Sequence, residues 1–138
     1  MSQFMLVVVD RDAVLPSLAA HLRPLATGQS LLLRVAEELL TGEERQFCWF
    51  PEDDDGTTDA LFTAAQRELI DGTAFTATRL GGLLGQLLPV SGRIILWYGD
   101  DYRDLPVVHS AEEVFKQLES QLSRDAGEVY LTFARAYP

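Results

Sequence analysis

The chain reads as an α/β or α+β domain with a mixed β-sheet covered by helices. Three observations predict this class. Two apolar runs, Phe4–Val9 (FMLVVV) and Ile94–Tyr98 (IILWY), are too short for buried helices and rich in β-branched and aromatic residues. Such runs are strands buried on both faces, so something must cover the sheet on each side. Helical patterns with apolar residues at i, i+3 and i+4 interleave with the strands. The 138 residues, 47% of them apolar, suit one globular domain spanning 1–138.

The stretch 93–122 is the best specified. Gly99 ends its strand, and Asp100, Asp101 and Asp104 crowd the turn. Pro106 holds Leu105 extended. Ser110 and Glu113 stand at capping-box spacing, where the hydroxyl accepts from the Glu113 amide and the carboxylate reaches back to the Ser110 amide. Val114, Phe115, Leu118 and Leu122 then share one helical face.

The remaining elements follow in order. Asp10 and Asp12 follow the first strand, and a helix is expected from about Ala13 to Leu22, with Pro16 in its first turn. Ser30–Leu40 has helical periodicity, with Ser30 as cap and Gly42 as terminator. A strand over 31–35 is the alternative. Arg45–Phe50 reads as a short strand stopped by Pro51. Thr58 caps a helix over Asp59–Ile70, with Asp59 placed well against its N-terminus and Gly72 ending it. Thr73–Thr78 is a strand or a loop. Arg79–Leu88 is a helix despite Gly81, Gly82 and Gly85, which would let another backbone approach closely. Glu128–Arg135 alternates Val129, Leu131 and Phe133 with Tyr130, Thr132 and Ala134, a strand with one wetter face.

Composition excludes several classes. A net charge of −10 opposes nucleic acid and anionic membranes and permits a basic partner. No apolar run approaches a membrane span, and the start MSQFMLVVVD lacks a basic leader, so a cytoplasmic location is expected. The one cysteine, Cys48, reads as a small buried or half-buried hydrophobe. Two distant histidines, His21 and His109, do not make a zinc site, and the PEDDDG loop has Phe62 where an EF-hand needs Glu. No cofactor is expected.

Two sets of residues carry chemistry. VVVDRD and LWYGDDYRD place acids after two apolar strands. Together they resemble the first and fourth motifs of haloacid dehalogenase-type phosphatases. The resemblance implies Asp10 as nucleophile, Asp12 as acid/base, and Asp100 and Asp104 around Mg²⁺. The chain departs from that family's pattern, because its only lysine, Lys116, lies after the fourth motif rather than before it.

The other set is acidic. Glu52, Asp53, Asp54 and Asp55 follow Trp49 and Phe50. Asp100, Asp101, Tyr102 and Asp104 follow Trp97 and Tyr98. Close-set like charges repel, and a positive partner would relieve them. Aromatics beside them would supply buried anchors, although neighbouring strand residues point to opposite faces, so Trp97 or Tyr98 belongs to the core. The acidity and the layout LWYGDDYRDLPVVHSAEEVFKQL resemble small bacterial immunity proteins. That resemblance implies a non-enzymatic inhibitor that occludes the active site of a basic toxin domain. Its partner-binding residues would be Asp100, Asp101, Tyr102, Asp104 and Glu52–Asp55.

Overall fold

A computed structural model describes residues 2–10, 22–28, 30–51, 59–99, 106–123 and 128–135. Within them, six strands form one mixed sheet: β1 (Ser2–Val9), β2 (Leu22–Pro24), β3 (Cys48–Pro51), β4 (Ser91–Gly99), β5 (Val107–Val108) and β6 (Val129–Ala134). Their order is β2-β3-β1-β4-β6-β5. Every pairing is antiparallel except β5 with β6. The two runs singled out by composition, β1 and β4, are the central pair and match from Ser2–Gly99 to Val9–Ser91. A register shift between Val8 and Val9 leaves Gly92 unopposed, a bulge at the end of the pair.

Burial on both faces holds for β1, β4 and β6. Met5, Val7, Ile94, Leu96, Tyr98, Val129, Leu131 and Phe133 share one core. Phe4, Leu6, Val8, Ile95, Trp97 and Tyr130 share the other. The wetter face expected for β6 is therefore dry. Tyr130 is buried because its ring meets Trp97 edge-on at 4.9 Å and lies over Gly99, where a Cβ would come within 2.5 Å of its Cζ. Trp97 and Tyr98 are both core residues, one on each face. Trp97 stacks on Phe4 at 5.4 Å, and Tyr98 on Phe62 at 5.6 Å.

Three helices cover the first core: α3 (Asp59–Ile70), α4 (Arg79–Leu87) and α5 (Ala111–Leu122). The right-handed rule accounts for their common side. The β3-to-β4 and β5-to-β6 connections cross the sheet in opposite directions on oppositely pointing strands, so right-handed paths lie over the same face. The second core is met by α1 (Ser30–Leu39) through Ala36, with Leu40 just beyond it.

Local signals explain most helix ends. The Ser110 hydroxyl accepts from the Glu113 amide at 3.2 Å. Val114, Leu118 and Leu122 are fully buried, as their spacing requires. Gly72, at φ +94°, ends α3 in a Schellman motif: its amide donates to Leu69 O and the Thr73 amide to Glu68 O.

Four readings need correction. Gly42 does not terminate α1 but opens a further helix, α2 (Gly42–Gln46). Thr41 caps α2 in a complete capping box with Glu44, at 3.1 and 3.0 Å. Arg45 and Gln46 are consequently helical, and β3 starts only at Cys48. Leu22, expected to end a helix, begins β2 by pairing with Pro51. The close approach expected of three glycines occurs only at Gly81, where a Cβ would lie 2.9 Å from the Phe75 carbonyl carbon. Gly82 and Gly85 face open space. The 73–78 stretch is a loop with a 3-10 turn at Phe75–Ala77.

Candidate functional site

The antiparallel register gives the sheet two distinct ends. At one stand Ser2 and Gly99, with Val129 opposite Tyr98. At the other stand Val9 and Ser91, with Ala134 opposite Arg93. Seven residues at about 3.4 Å each separate Ser2 from Val9 by about 24 Å.

The Asp10 end carries the charged cavity. It encloses about 380 Å³ and is lined by Asp10, Thr41, Glu43, Glu44, Arg93 and Arg135 among others. Asp10 leaves β1 with its amide bonded to Val90 O at 2.9 Å. Its Oδ2 accepts from Arg135 Nη1 at 2.8 Å. The same guanidinium donates to the carbonyls of Leu88 and Pro89. Arg135 follows β6, and its amide donates to Gly92 O at 2.9 Å, which sets the side chain beside Asp10. Arg93 reaches toward the other core, with Nε 3.2 Å from Glu44 Oε2 and Nη1 donating to Leu39 O at 3.3 Å. Glu44 thus accepts from the Thr41 amide through one oxygen and from Arg93 through the other. The pairs are about one-third exposed, so each contributes at most about 1 kcal/mol.

Sequence reasoning had named Asp10 here and missed Arg93, Arg135 and Glu44. The Thr41-x-x-Glu44 spacing was a usable signal for one of them. The Asp10–Arg135 pair spans 125 residues and had none.

Asp12, Asp100, Asp101, Tyr102, Asp104 and Glu52–Asp55 lie outside the described residues. Gly99, the last described residue before Asp100 in the sequence, stands at the end of the sheet opposite Asp10. Asp10 is engaged by Arg135. Among the described residues, no three His, Cys, Asp or Glu side chains are grouped to hold a metal ion.

Each acidic segment follows, in sequence, a strand that flanks β1. Strands β3 and β4 both run antiparallel to β1 and flank it, so they are parallel to each other. Continuing the register from Val7–Trp49, β3 ends at Pro51 level with Met5, whereas β4 ends at Gly99 opposite Ser2. The two strands stand about 10 Å apart, two strand spacings. Trp97 and Tyr98, expected as possible contact anchors, are buried, while Trp49 and Phe50 are half-buried.

Cys48 is buried on β3, and burial pushes its thiol from 9.0 up to about 12. It is an inert core thiol, as its sequence context suggested. His109 is exposed, and its Nδ1 lies 2.8 Å from Ala134 O, so that nitrogen carries the proton. Among the described residues no helix is long and apolar enough to cross a membrane. No family model, curated protein or solved structure compared with the chain matches it.

Proposed function

We propose that this chain is a non-enzymatic binding protein whose acidic end engages a basic protein partner, in the manner of a bacterial immunity protein occluding a toxin's active site. The observation that carries this reading is that the two acidic segments follow, in sequence, strands β3 and β4, which run in the same direction. Seven carboxylates, Glu52–Asp55 with Asp100, Asp101 and Asp104, follow in sequence two strands that run parallel to each other on either side of β1. Concentrated charge of one sign raises the rate of encounter with a basic surface and suppresses acidic competitors. The net charge of −10 acts in the same direction. The rigid part of the fold suits the role as well. A central β1–β4 pair with buried side chains on both faces holds the strand ends in place, which lowers the ordering cost of binding.

The test compares tagged wild type with two charge-reversed variants in a pull-down from native lysate, at low and moderate salt. One variant carries Asp100→Lys, Asp101→Lys and Asp104→Lys. The control carries Glu37→Lys and Glu38→Lys, on the exposed side of α1. A stoichiometric basic protein held by wild type and by the control, and lost by the first variant while it stays folded, is the expected result. Equal retention by both variants would place the interface elsewhere and overturn the reading.

A further inference from the structure

We draw no further inference here: the strongest candidate, the charged cavity at the Asp10 end of the sheet, belongs to the site already described, and Asp10, Arg135, Arg93, Glu44 and Thr41 satisfy one another or nearby backbone carbonyls, so nothing in its lining points to a ligand.

Discussion

Three glycines in α4 give the sharpest test of the packing, because the structure predicts opposite signs for the same substitution within one helix. Gly82 and Gly85 are exposed, and a Cβ at either meets nothing within 4 Å. Alanine there gains helix propensity alone, about 1 kcal/mol per site. Gly81 is buried against the Phe75–Ala77 turn. A Cβ would strike the Phe75 carbonyl, which also accepts from the Thr78 hydroxyl at 2.6 Å. That carbonyl is backbone and cannot rotate aside. Its residue is wedged in the core, with the Phe75 ring edge-on to Phe115 at 5.6 Å. Overpacking costs about 1–3 kcal/mol, and loss of the Thr78 bond costs about 1 kcal/mol more. Subtracting the gain of about 1 kcal/mol in propensity leaves Gly81→Ala about 1–3 kcal/mol less stable. Urea unfolding followed by circular dichroism reads the difference. With a slope of about 2 kcal/mol per molar, Gly81→Ala lowers the midpoint by about 0.5–1.5 M and Gly82→Ala raises it by about 0.5 M. A Gly81→Ala protein as stable as wild type, or a destabilised Gly82→Ala, would refute the packing described for α4.

Other predictions concern the sheet and its ends. Cys48 should resist thiol reagents in the native protein and react fully once unfolded. Because its folded pKa is raised to about 12, the unfolded chain loses the proton first as pH rises above about 9; stability therefore falls from there upward, and Cys48→Ala should remove that one-proton slope from pH-dependent urea unfolding. Arg135→Ala should cost more than Asp10→Asn, about 2 against at most 1 kcal/mol, since Arg135 also holds the Leu88 and Pro89 carbonyls; equal losses by thermal unfolding would mean that those carbonyl bonds contribute nothing. Gly99→Ala should be severely destabilising because Tyr130 occupies its Cβ position, and Tyr130→Leu in the same chain should recover part of the loss. Ser110→Ala should lower stability by about 1 kcal/mol through the α5 cap, measured in the same urea assay.

The parts of the fold legible in the sequence were those decided locally. Ser110, Glu113 and the Val114–Leu118–Leu122 spacing define α5 without reference to anything distant, and Gly72 marks the end of α3 for the same reason. The apolar runs in β1 and β4 announced burial on both faces. The misreadings share a cause. Helix α2 has five residues, too few for a period, and only its Thr41–Glu44 box betrays it. Strand β2 has three residues and exists because β3 offers an edge. Alternation in β6 signalled a wet face, but whether a face is wet depends on what lies over it, and there Tyr130 packs on Trp97. The site followed the same division. Acids after strands were visible as such, whereas the direction of each strand, which sends Asp10 to one end and Gly99 to the other, is a long-range property.

The proposed function requires that both acidic segments meet one partner. Hydrogen exchange of the protein, free and bound to the basic protein it captures, tests this most directly. Protection is expected to rise together over residues 52–55 and 100–104, with the amides around Asp10, Gly92 and Arg135 unchanged. Protection confined to the Asp10 end, or absent from both acidic segments, would contradict it.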